Sequence, residues 1–193
     1  MRIITMILIC CFAVSCQNKC WTPSEKELIE NNSPTFRVLT IGNAADSMIL
    51  RQHALPLSKN EIKSDLYKQL ARKMIATVTS PEQDGVGIAG PQVGISRRIV
   101  AVQRFDKKDT PFEVYPNIVI TAKRGNMERG PEGCLSVPNY RSDVMRYRNI
   151  DITYLSPITL KDTTENIKGF TAVIFQHETD HLDGIIYTDK LVE

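Results

Sequence analysis

Apolar residues along this chain change their spacing several times, and each change predicts a new element. Phe36-Arg37-Val38-Leu39-Thr40-Ile41 reads as a first strand. After a loop, Ile62, Leu66, Leu70, Met74 and Ile75 recur every three or four residues, which predicts a helix capped by Ser58 or Asn60 and running to about Val78. Arg98-Ile99-Val100-Ala101-Val102, Val114-Tyr115 and Ile118-Val119-Ile120 are strand-like, and the stretch Gly130 to Pro138 interrupts the pattern. Ile150-Asp151-Ile152-Thr153-Tyr154-Leu155 alternates as a half-buried strand, and Ile158 to Lys161 with Ile167-Lys168 reads as a further hairpin. Helical spacing then returns in Phe170, Val173, Ile174, His177 and His181, so two histidines continue a core-facing apolar stripe. Gly184 suits the left-handed residue that ends a helix, and Ile185-Ile186-Tyr187 reads as a short strand after it. Strands first, one central helix late and no regular βαβ alternation predict an α+β domain. Mixed or antiparallel β-sheets pack around a central C-terminal helix that carries both histidines.

The N-terminus has a different pattern. Arg2, a mostly apolar run from Ile3 to Val14 and then Ser15-Cys16 have the three-part form of an export signal, too short for a comfortable membrane span. Ala13-Val14-Ser15-Cys16 resembles the lipobox of bacterial lipoproteins, with Ala13 where leucine is commonest, and this implies a lipid anchor at Cys16 outside the cytoplasm. Secretion after Ser15 and an uncleaved anchor are the alternatives. Gln17 to Thr35 is polar, with Pro23, Pro34 and Asn31-Asn32. The expected organisation is therefore a signal over 1–15, a tether over 16–35 with one helical turn around Ser24 to Glu30, and one main domain over 36–193. Trp21 can pack back on that domain.

Charge changes the picture by exclusion. A net charge of +2, with lysines and arginines scattered, gives no argument for a nucleic-acid partner. Four cysteines crowd the first 20 residues while Cys134 stands alone in the rest of the chain, so it cannot staple the domain to itself. Packing, metal ligation and nucleophilic chemistry remain open to it.

The richest chemistry lies in Gln176-His177-Glu178-Thr179-Asp180-His181. On a helix His177 and His181 are about 40° apart around the axis and about 6 Å apart along it, so two imidazoles can hold one metal ion. Glu178, turned by roughly 60° to 100° from the rings, belongs at the rim, where a general base faces a water. The third histidine, His53, reads as a surface residue. Gly85-Val86-Gly87-Ile88-Ala89-Gly90-Pro91-Gln92 lacks the lysine and helix start of a phosphate cradle, and reads better as an edge strand offering its backbone to a peptide-like ligand. Gly133 beside Cys134 permits a backbone that aims the sulfur inward.

Together, Gly85 to Gln92, Glu132-Gly133-Cys134-Leu135-Ser136 and Gln176 to His181 closely resemble the three signature motifs of peptide deformylases, in order and with ordinary spacing. The resemblance runs from about Phe36 to the C-terminus. It implies a metal-dependent hydrolase that removes the formyl group from formyl-methionyl peptides and releases formate. Cys134, His177 and His181 are the implied metal ligands, and Glu178 the base that deprotonates the attacking water. Gln92 and the backbone N–H of Leu135 are the implied oxyanion donors. Val86, Gly87, Ile88, Gly133 and Arg141 are the implied substrate contacts, with Ile88, Ile174 and the His177 ring lining a methionine pocket. Iron(II) is the family's natural metal, and zinc, nickel or cobalt suit the same donors. A monomer is expected.

Three departures stand out. Gly90 replaces a common alanine, a change expected only to loosen the loop. Asn139 stands where glycine often follows Val-Pro, and asparagine tolerates positive φ. Export is unusual for a family that works on nascent chains. A related N-acyl amidase or small peptidase, and a lipoprotein that binds formyl peptides without turnover, are the competing readings; a retained Glu178 argues against the second.

Overall fold

The structure, a computed structural model, describes residues 21–192; the expected signal and Cys16 anchor lie outside the described residues. Among the described residues four helices come first: α1 (Pro23–Glu30), α2 (Ala44–Leu50), α3 (Lys59–Lys63) and α4 (Asp65–Val78). Strands β1 (Gly87–Ala89), β2 (Ile99–Gln103) and β3 (Phe112–Pro116) form one antiparallel sheet in that order. Strands β4 (Val119–Cys134), β5 (Val137–Leu155) and β6 (Asp162–Lys168) form a second antiparallel sheet, followed by α5 (Gly169–Leu182).

Helix α5 packs against strands of both sheets, and from Thr171 to Thr179 every residue is buried, as are His181 and Leu182. A helix covered all round buries polar groups that need partners; Gln176 and Thr179 have them, while Thr171 Oγ1, Glu178 Oε2 and His181 Nδ1 have none among the described residues. Phe170 departs from the expected stripe. It lies in the first turn, 49% exposed, with its ring 5.4 Å from Phe105 of the β2–β3 loop.

The expected interruption from Gly130 to Pro138 is smaller than the glycines and prolines suggest. Residues 130–134 continue β4, and only the turn at Leu135-Ser136 and a bulge on β5 break the ladder, because Gly133 pairs with Arg141 while Cys134 pairs with Val137. Asn139, inside that bulge, has φ +61°, as its residue type allows. The bulge places Cys134 at the very end of a long hairpin.

Several boundaries differ from the sequence reading. Phe36 to Ile41 joins neither sheet; its Leu39 and Ile41 N–H groups donate to the carbonyls of Gln92 and Ser136, tying two of the motifs together. The expected single helix breaks at Ser64 (ψ 155°), whose hydroxyl caps α4 at Tyr67 and takes the Glu61 carbonyl of α3, a local competitor for the helical hydrogen bonds. Ser58 caps α3 as expected. Helix α2, capped by Asn43, lies in the region read as loop. The hairpin before the last helix is β5–β6, and Tyr187–Lys190 forms a 3₁₀ turn instead of a strand. Gly184 does carry the left-handed conformation, φ +72°, expected at the end of the helix.

The tether reading does not describe residues 21 to 30. Thr22 and Glu25 form a capping box that starts α1, and Trp21 and Ile29 are buried in the core with Ile62, Tyr67 and Leu70. Arg97, 1% exposed, donates to Glu25 through two hydrogen bonds of 2.8 and 2.9 Å and to Glu61 at 3.2 Å, with the Trp21 ring 5.4 Å from its guanidinium. A buried guanidinium demands carboxylates, and α1 supplies one of them.

Candidate active site

His177 and His181 project from the same face of α5 with their rings 5.0 Å apart. The hairpin end brings Cys134 to them, its Sγ 3.2 Å from His181 Nε2, and one ligand atom from each of the three lies within 4.8 Å of the other two. Donors around a tetrahedral ion of this kind stand roughly 3.4–3.6 Å apart, so the trio has the size and composition of a three-ligand metal centre.

Around it the charges are arranged in order. His177 Nδ1–H donates to Glu132 Oε2 at 2.9 Å, and Arg146 donates to the same carboxylate through Nε and Nη2 at 2.7 and 3.0 Å. This commits one nitrogen of His177 and leaves Nε2 to face the sulfur. Burial raises Glu132, but His177 and Arg146 outweigh it and bring its pKa down to about 2. Burial also disfavours a charge on His177, yet Cys134 and Glu132 hold its pKa well above the ordinary value; burial and then the His177 charge keep His181 well below.

Glu178 is 4% exposed, and its Oε2 has no hydrogen-bond partner among the described residues. Burial, the largest influence, pushes its pKa up to about 7. An orphaned, neutral-prone carboxyl beside a ligand trio is the mark of a reacting group. Gly87 makes its place: a Cβ there would sit 2.8 Å from Ile174 Cγ2 and 2.9 Å from Glu178 Cδ. Gln92 is equally fixed. Its Oε1 accepts from the Ala89 N–H at 2.8 Å, so its amide N–H₂ faces Ser136 Oγ at 3.2 Å and the Cys134 sulfur at 3.6 Å.

These groups open on a cleft of about 790 Å³ whose walls include Val86, Gly87, Leu135, Arg141 and Ile174. Among the described residues, strand β1 lies at the edge of its sheet, with β2 on one side only. Three expectations need correction. The Ile88 side chain is fully buried in the core with Met74 and Val78, because strand alternation turns it away from the cleft that Gly87 faces. Gly133 has no left-handed backbone; it makes room for Arg141, whose Cγ lies 3.2 Å from where a Cβ would be. Gly90 does not loosen its loop, since a Cβ would meet the Ile95 and Arg97 carbonyl oxygens at 2.7 Å. His53 is exposed, as expected. Sequence reasoning assigned no role to Glu132, Ser136, Arg146 or Asp180, although three of these four lie inside the motifs themselves.

An α+β fold that brings a helix-borne histidine pair, a hairpin cysteine and a buried glutamate together has the parts of a metal-dependent hydrolase site. The chain belongs to the polypeptide deformylase family, whose profile matches residues 36–193. It is 39% identical to a peptide deformylase of Symbiobacterium thermophilum over 143 residues, covering 74% of this chain and 62% of the relative, just under two thirds of that protein's length. A peptide deformylase of Leptospira biflexa is 35% identical over 162 residues, covering 80% of this chain and 87% of the relative. The solved class I type b peptide deformylase of Acinetobacter baumannii superposes with a TM-score of 0.73 at 37% identity, covering 82% of this chain and all of that one. That of Thermotoga maritima gives 0.71 at 30% identity, over 82% and 99%.

Proposed function

We propose that this protein hydrolyses the N-formyl amide of formyl-methionyl peptides, releasing formate and a free methionyl amine. The observation that carries this reading is Glu178, buried with no partner for Oε2 among the described residues, beside the Cys134, His177 and His181 trio and pressed against Gly87 of the edge strand. A divalent metal held by those three residues, when bound, polarises the carbonyl and lowers the pKa of water. The remaining work falls to the chain's own groups. Residues Val86 to Ile88 pair with the substrate backbone along the free edge of β1. Gln92 Nε2 and the Leu135 N–H donate to the oxygen on which charge develops. Glu178 takes a proton from the attacking water and gives it to the departing nitrogen.

Val86, Leu135, Ile174 and the His177 ring form the wall for the methionine side chain, and Arg141, lying across Gly133, holds the peptide beyond it. Related Acinetobacter baumannii structures carry Met-Ala-Ser and actinonin, which supports a peptide in the corresponding cleft here. Iron(II) is our assignment for the metal, with zinc, nickel and cobalt as substitutes the same donors accept. We further propose a monomer exported from the cytoplasm and held at a membrane by lipid on Cys16.

The test is formate release from a formyl-methionyl tripeptide by protein prepared without oxygen and loaded with iron, nickel or zinc. Turnover abolished by chelator and restored by metal is the expected result; a fully loaded protein that binds the peptide without cleaving it would overturn the reading. Replacing Cys16 by serine moves the protein from the membrane fraction to the soluble one, and an unchanged distribution rules out the lipid anchor.

A further inference from the structure

We propose that the C-terminal turn Tyr187–Lys190 supports the metal site, with Lys190 positioning the His177 ring through Asp180, Arg146 and Glu132. This rests on the metal-site reading above. Lys190 Nζ donates to both oxygens of Asp180 at 2.6 and 2.7 Å, Arg146 Nη1 donates to Asp180 Oδ2 at 2.5 Å, and the other two guanidinium donors hold Glu132, which holds His177 Nδ1. Charges alternate along the row, and side-chain exposure rises outward, from 6% at Glu132 and 5% at Arg146 to 15% at Asp180 and 37% at Lys190. The row starts at the surface and ends on a ligand ring.

Arg146 is the shared member. It serves two carboxylates at once, and its fork stays on Glu132 only while another cation shares the charge of Asp180. Without Lys190, Asp180 draws the guanidinium toward itself and the acceptor behind His177 slackens. His181 cannot compensate, because its Nδ1 has no hydrogen-bond partner among the described residues. The backbone reinforces the link. Leu191 bridges to Val144 and the Val192 N–H donates to the Asp143 carbonyl, so the residues after the turn run beside β5 two positions from Arg146.

The same turn has a second anchor that bypasses the row, the Arg51–Asp189 ion pair. This provides a control for simple loosening of the turn. Zinc-loaded full-length protein is mixed with excess chromogenic chelator, and the release rate is followed for the unsubstituted protein, Lys190→Met, Lys190→Arg and Arg51→Gln. Visible spectra of the cobalt(II)-loaded forms report the ligand field directly. Lys190→Met should release zinc about tenfold faster, the low end expected for a partner behind a metal ligand, with shifted cobalt bands. Lys190→Arg should restore both, and Arg51→Gln, which removes a cation that also acts on His181, should not hasten release. The sign is diagnostic, since removing a cation from the neighbourhood of a metal acts through space to slow release, not to hasten it. Release by Lys190→Met at or below the unsubstituted rate, or equal acceleration by Arg51→Gln, overturns the proposal. An unsubstituted protein that holds no stoichiometric metal would instead overturn the metal-site reading beneath it.

Discussion

Replacing Gly87 by alanine perturbs Glu178 from a position that carries no reacting group. The new Cβ would lie 2.8 Å from Ile174 Cγ2 and 2.9 Å from Glu178 Cδ, and closer still to Glu178 Oε1. Carbon atoms in contact prefer about 3.5–4.0 Å, so each overlap is roughly 0.7 Å. Ile174 is 3% exposed on α5 and packed in the core, so it yields little. Glu178 has a free oxygen and the open cleft beside it, and it is the group that moves, by about 1 Å. A misplacement of that size costs about a hundredfold in rate, or about 2.7 kcal/mol in the barrier. The overpacking itself costs about 1–3 kcal/mol of stability, which lowers the melting temperature by about 2–4 °C per kcal/mol in a domain of this size. The variant therefore stays folded at room temperature. The assay is formate release at saturating substrate, alongside metal content and a thermal melt. The expected result is a kcat lower by about a hundredfold, with metal stoichiometry unchanged and melting lowered by several degrees. A folded, metal-loaded variant with unchanged kcat would refute the close packing of β1 on Glu178.

Other substitutions separate the remaining roles. Glu178→Gln keeps the shape and removes the base, so turnover should fall by about 10² to 10⁴ with metal content unchanged; a loss under tenfold would take the proton-transfer role away from this residue. Cys134→Ser should leave less metal on the protein after gel filtration, because an alcohol is a poor substitute for a thiolate, and full retention would point to another third ligand. Glu25→Gln leaves Arg97 buried with Glu61 as a remaining partner, at a cost of about 3 kcal/mol, read as a lower melting temperature at pH 7. Burial raises Glu25, but Arg97 and Thr22 outweigh it and set its pKa below the usual 4.5. The folded form therefore prefers the carboxylate, and its contribution is complete above pH 4.5 and fades as the pH falls through the lower folded value. The melting difference between unsubstituted protein and Glu25→Gln should accordingly narrow below pH 4.5; a constant difference down to pH 2 would show that Glu25 contributes by packing and not by charge.

The helix that carries the histidine pair was legible because its information is local. A spacing of four residues puts His177 and His181 on one face of any helix, and the apolar residues before them say that the face is buried. The α+β class was legible for the same reason, from runs whose period changes between two and 3.6. Cys134 was legible only as one cysteine apart from the others; its place among the ligands came from the likeness of its motif to a known one.

What stayed hidden depends on residues far apart in the chain. Asp180 and Arg146 meet across 34 positions, and Glu25 reaches Arg97 across 72, so no local period records either pair. Residues 21 to 30 look like a polar linker because Trp21 and Ile29 are their only buried apolar side chains and the buried carboxylate of Glu25 reads as a surface charge until its partner is seen. Ile88 and Gly87 are neighbours, yet only the sheet decides that the isoleucine faces the core and the glycine faces Glu178. The sequence by itself determined which side chains can bind a metal and move a proton. Tertiary structure decided which of them meet and what holds each in place, because burial and charge pairing are properties of what surrounds a residue and not of the residue alone.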